Sequence, residues 1–70
     1  MYTAIFSFEK PHDAKRFFDS IPDDFKHLAY MAKDGYRVIF RPISSQDARA
    51  LRPSQSDVMM ILLDVSVAPR

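Results

Sequence analysis

A chain of 70 residues is one domain at most, close to the lower limit at which a hydrophobic core stands by itself. Ten basic and nine acidic residues leave a net charge of +1, which excludes both the basic excess of a dedicated nucleic-acid binder and an acidic nucleic-acid mimic. The absence of cysteine excludes disulfides, thiolate nucleophiles and Cys-ligated zinc, and His12 and His27 are too few for a histidine-rich metal site. Reinforcement must therefore come from packing or from association with another molecule. Six Phe and three Tyr supply much aromatic area for packing.

Residues 2–8 alternate, with Tyr2, Ala4, Phe6 and Phe8 on one face and Thr3, Ile5 and Ser7 on the other, which predicts a strand buried on its even face. Pro11 suits the first turn of a helix, where its missing N–H costs nothing, and Asp13 complements the dipole there. Ala14, Phe17, Phe18 and Ile21 keep the spacing of an apolar helical stripe; Pro22 stops the helix and Asp23-Asp24 reads as a solvated turn. Asp34-Gly35 predicts a two-residue type I′ hairpin turn. The implied register sets Met31 against Val38, Tyr30 against Ile39, Ala29 against Phe40 and Leu28 against Arg41. One face then carries Ala29, Met31, Tyr36, Val38 and Phe40 as core. The other carries Leu28, Tyr30, Ala32, Arg37, Ile39 and Arg41. Pro42 ends the hairpin.

Ser44 or Ser45 is placed to cap a short helix with Ala48 and Leu51 inward, and Pro53 terminates it. The last strand is expected over residues 57–68. Its odd residues Met59, Ile61, Leu63, Val65 and Val67 are all apolar and are assigned to the core. Its even residues, apolar at Val58, Met60 and Leu62 but polar at Asp64 and Ser66, are assigned outward.

The order βαββαβ resembles a trimmed ferredoxin-like fold. That resemblance implies a single α+β domain over 1–70, an antiparallel sheet of order 4-1-3-2, both helices on one face, and edges formed by the hairpin's first strand and the C-terminal strand. The short second helix is a departure from the pattern. The competing arrangement is a three-stranded sheet whose last strand pairs with another chain. The apolar run from Val58 to Leu63 is too short to span a bilayer, and no charged and apolar leader opens the chain, so a cytoplasmic protein is expected.

Three surfaces are candidates for function. Ile5, Leu28, Tyr30, Ile39, Val58, Met60 and Leu62 are expected to make the open sheet face apolar, with Arg37 and Arg41 among them, a composition that suits a binding surface. This predicts a non-enzymatic protein-interaction module, a regulator or inhibitor of the size common in bacteria and phages, which binds a protein partner or forms a homodimer. Tyr30, Arg37 and Arg41 on that face also allow nucleic-acid binding by stacking and phosphate contacts. Glu9, His12 and Asp13 at the first strand–helix junction, with Asp23 and Asp24 beyond, are the residues a small metal-dependent hydrolase would use. Glu9 with Asp13 is the pair on which that third alternative rests. No cofactor, metal or membrane partner is expected.

Overall fold

The computed structural model describes residues 1–54 and 57–65. In chain order the elements are β1 (Tyr2–Ser7), α1 (Pro11–Ser20), α2 (Asp23–Lys26), β2 (Ala29–Met31), β3 (Arg37–Ile43), α3 (Ser45–Leu51) and β4 (Met59–Asp64). The chain forms an α+β domain with one four-stranded sheet in the order β2-β3-β1-β4, every neighbouring pair antiparallel. Among the described residues β2 and β4 are its edges. The competing three-stranded arrangement is overturned, because β4 pairs with β1 along its whole length, from Tyr2 opposite Asp64 to Ser7 opposite Met59. Among the described residues no helix is long and apolar enough to cross a membrane.

Local chemistry accounts for the boundaries. Pro11 opens α1 as its first residue, and the helix closes with the Ile21 N–H donating to the Phe18 carbonyl at 3.3 Å. Asp23-Asp24 does not make a simple turn. Both residues begin the one-turn α2, whose Phe25 packs against the core and whose Lys26 N–H donates to the Pro22 carbonyl at 2.9 Å. A helix of four residues is too short to show a period of 3.6 in sequence. Ser44 caps α3 by accepting the Asp47 N–H on its Oγ at 3.0 Å.

The predicted hairpin register holds, with Ala29 opposite Phe40, Tyr30 opposite Ile39 and Met31 opposite Val38. The turn itself differs. The Gly35 N–H donates to the Ala32 carbonyl at 3.0 Å, so Lys33 and Asp34 occupy the central positions. Gly35, at φ +77°, is the only described residue with positive φ, whereas a type I′ turn centred on Asp34-Gly35 requires it at both. The Asp34 carboxylate stabilises the alternative by accepting the Tyr36 N–H at 2.9 Å and the Arg37 Nε–H at 3.0 Å. The β2–β3 pairing ends at Arg41, whose N–H donates to the Leu28 carbonyl at 2.7 Å, so Pro42 follows the last hairpin bond, but the strand itself does not stop there. β3 runs through it to Ile43, and the register against β1 slips between Tyr2 and Ala4 at this point, an irregularity that accommodates a residue without an N–H.

The core lies on one side of the sheet. Phe6, Val38 and Phe40 are fully buried, joined by Ala4, Phe8, Ile43 and Val58 from the sheet and its flanks, Ala14 and Ile21 from α1 and its cap, and Ala48 from α3. Phe17 sits among the aromatics, its ring 5.2 Å from Phe6, 5.4 Å from Phe8 and 6.4 Å from Phe40. Phe18 packs at the rim with the Lys26 Nζ 4.8 Å above its ring. Tyr36, expected in the core, is 43% exposed because the turn carries it past the last strand pair.

Candidate interaction face

The side of the sheet away from the core shows an apolar row that crosses all four strands. Tyr30 of β2 stands opposite Ile39 of β3, Ile39 opposite Ile5 of β1, and Ile5 opposite Ile61 of β4. Opposed residues on antiparallel strands share a face, and Ile5 lies between the buried Ala4 and Phe6, so the whole row points away from the helices. Ile5 and Ile39 in the central strands are half-buried by their neighbours, whereas Tyr30 and Ile61 at the edges are 46% and 41% exposed. Met59 opposite Ser7 and Leu63 opposite Thr3 extend the apolar surface along β4.

The β4 contribution reverses the expectation. Val58 is buried in the core, and Met60 and Leu62, opposite Phe6 and Ala4, pack against it from the inner face. These three therefore do not line the open face; Met59, Ile61 and Leu63 do. Leu28 also turns inward, just before β2 begins. Residues 58–63 are apolar at every position, so period 2 carries no phase there. Polar Asp64 and Ser66 suggested the wrong one: Asp64 is exposed at the end of β4, and Ser66, like Val67, lies outside the described residues. Since Ile5 was already phased by its own alternation, pairing of the last strand with the first is the relation that locates Ile61 on this face, and no residue pattern announces it.

Tyr30, Ile39, Arg37 and Arg41 lie on one side of the β2–β3 pair. The Arg41 guanidinium lies 5.8 Å from the Tyr30 ring centroid, a cation–π contact at an exposed site. Arg37 is engaged with Asp34 in an ion pair at 3.0 Å. The hydrogen bond from the Tyr36 N–H is the largest effect on the Asp34 carboxyl; desolvation opposes it, and the Arg37 charge adds to it, so that the group is held below its ordinary value of 3.8.

The hydrolase residues are not gathered in this way. Glu9 and His12 are exposed, Asp13 is half-buried, and Asp23 and Asp24 open a different helix. Among the described residues no three His, Asp or Glu side chains group as a metal site, and no polar side chain is buried. His12 Nε2 instead meets the Arg16 guanidinium at 2.6 Å on the same helix. Together with Lys15 and Asp19 these residues line an open depression on the solvent side of α1, an ordinary charged helix surface. Comparison of the chain with protein-family models, with curated proteins and with solved structures gives no match.

Proposed function

We propose that this chain is a small non-enzymatic protein-interaction module, a regulator or inhibitor that binds protein through its open sheet face or an edge strand. The observation that carries the reading is the Tyr30–Ile39–Ile5–Ile61 row, which spans the sheet on the side the helices leave uncovered. Apolar side chains that converge on one face and remain in water are a standing cost that a partner relieves. Arg37 and Arg41 beside the row, and aromatic Tyr30 within it, match the composition enriched at protein interfaces. The finer topology belongs with this proposal: a ferredoxin-like arrangement with the helices on one side is supported by the antiparallel order and by Ala14 and Ala48 sharing one core.

The test is capture of a partner from the native host by wild type and by Tyr30→Asp, with circular dichroism to establish that the variant folds. Tyr30 is half-exposed on an edge strand, so the new carboxylate stands in water in the free protein and must be desolvated in the complex. Loss of the captured protein is the expected result; retention by the folded variant refutes the face. The Tyr30–Arg41 contact is the specific feature favouring a second reading, single-stranded nucleic acid held on Tyr30, Arg37 and Arg41. That reading requires binding that weakens as salt rises. The engagement of Arg37 by Asp34 counts against it.

A further inference from the structure

The interaction reading leaves the partner open, and the outer edge of β4 among the described residues identifies one. Edge strands are ordinarily protected by shortness, charge, proline or a bulge. β2, at the other edge, is three residues long. β4 is six residues long, has no proline, no charge between Met59 and Leu63, and an unbroken register against β1. Met59, Ile61 and Leu63 are 62%, 41% and 51% exposed on one of its faces.

The backbone of this edge has a defined parity. The Val65 N–H donates to the Met1 carbonyl at 3.3 Å, and continuing that ladder directs the polar groups of Leu63, Ile61 and Met59 toward β1. The N–H and C=O of Met60 and Leu62 consequently point off the sheet. A strand that docks antiparallel must present its own outward groups to these. For a second β4 this means even residues opposite even residues.

We propose that β4 pairs antiparallel with β4 of a second copy of this chain about a two-fold axis at Ile61, joining the two four-stranded sheets into one continuous sheet. This deepens the interaction-module reading and rests on it. With the axis at Ile61, Met60 lies opposite the copy's Leu62 and Leu62 opposite the copy's Met60, each pair exchanging both backbone hydrogen bonds. On the open face Ile61 meets its own copy, and Met59 meets the copy's Leu63, so the exposed residues of one strand cover those of the other. Asp64 falls opposite the copy's Val58, not another acid. Moving the axis to Met60 keeps the parity but sets three residues of each strand beyond its partner's end, and moving it to Leu62 keeps the parity while setting Ile61 opposite the copy's Leu63 instead of its own copy. The Tyr30–Ile39–Ile5–Ile61 row then continues across the axis into its counterpart.

The chain has no cysteine, so introduced thiols report the register directly. Under mild oxidation Ile61→Cys is expected to give a cross-linked dimer of about twice 8.1 kDa. Met59→Cys is expected to stay monomeric on a reducing-agent-free gel, because its counterpart lies four residues along the strand, roughly 14 Å away. Wild type is expected to sediment as a dimer, Ile61→Lys and Ile61→Asp each as monomers, and their equimolar mixture as a dimer again. Tyr30→Asp is expected to leave the dimer intact. Cross-linking of Met59→Cys as readily as Ile61→Cys overturns the register. A dimer dissolved by Tyr30→Asp overturns edge pairing in favour of the open face. A wild type that is monomeric at sub-millimolar concentration overturns self-association, while capture of another protein through Tyr30 remains a separate measurement.

Discussion

Replacing Met60 and Ile61 in turn by Asp reads the orientation of the last strand. Met60 is half-buried against the core and stands opposite the fully buried Phe6. Met60→Asp loses the apolar contact and forces a carboxylate toward a region with no buried polar partner among the described residues. The lost transfer energy of a half-buried side chain is about 1 kcal/mol, and the desolvation of an unpaired charge adds about 2–3 kcal/mol even when part of the side chain reaches water. Ile61 is on the opposite face and 41% exposed, so Ile61→Asp leaves its carboxylate in solvent. Its costs are a lost cross-strand pair with Ile5, about 0.2–1 kcal/mol, and a lower strand propensity, up to about 1 kcal/mol. A domain of 70 residues has a total stability of about 4–10 kcal/mol, and each kcal/mol moves Tm by about 4–8 °C. Met60→Asp should therefore lower Tm by about 15 °C or more, and Ile61→Asp by about half that or less. Thermal circular dichroism, at concentrations dilute enough to exclude association, measures both. A larger loss for Ile61→Asp refutes the strand's orientation and the interaction face with it.

Phe17→Ala should cost up to about 3–5 kcal/mol, because Phe17 touches Phe6, Phe8 and Phe40 at once. Phe18→Ala at the rim should cost distinctly less in urea denaturation, and equal losses would contradict the placement of the aromatic cluster. Gly35→Val should destabilise by about 1–2 kcal/mol through its positive φ alone, since the nearest heavy atom to an added Cβ is that of Pro11 at 3.8 Å. Gly35→Asn should cost less, and equal effects of the two would point to a clash. Asp34 should titrate below 3.8 when followed by carbon NMR. A lowered folded pKa contributes stability above the unfolded value and loses it as pH falls through the folded one, so the hairpin should loosen only in strong acid. Because the Tyr36 N–H is the largest cause, Arg37→Ala should weaken the lowering without reversing it.

What was legible in the residues is what had a phase. Alternation in residues 2–8 placed Ala4, Phe6 and Phe8 correctly, the stripe through Ala14, Phe17 and Ile21 placed α1, and Pro11, Ser44 and Gly35 marked where the chain changes direction. The hairpin register followed even though its turn was misassigned, since a tight turn on Lys33-Asp34 with a left-handed Gly35 serves the same strand pairs. α2 escaped notice for lack of length. The open face was half legible: Tyr30, Ile39, Arg37 and Arg41 come from the phased hairpin, whereas Met59, Ile61 and Leu63 come from a strand whose composition does not distinguish its sides.

That ambiguity bears on function. A strand covered on one side and wet on the other normally alternates, and an unbroken apolar run is the pattern of a strand buried on both. β1 obeys the first rule at Thr3 and Ser7, and departs from it only at Ile5, the position that joins the row. β4 follows the second rule at an edge where the helices cover only one side, exposing Met59, Ile61 and Leu63. The departures from alternation thus coincide in space: Ile5 stands between Ile39 and Ile61 across three strands, and Tyr30 completes the row on the fourth. Random drift of surface residues toward apolar character would scatter such positions over the sheet and over the solvent sides of α1 and α3. On α1 the solvent side instead carries His12, Lys15, Arg16 and Asp19, and on α3 Gln46 and Arg49 are exposed. The exposed side of the helices is polar apart from Ala50, whereas an apolar row crosses the exposed side of the sheet among Thr3, Ser7, Arg37 and Arg41. The exposed apolar residues therefore gather on the sheet side, where a charged substitution such as Ile61→Asp costs least in the free protein.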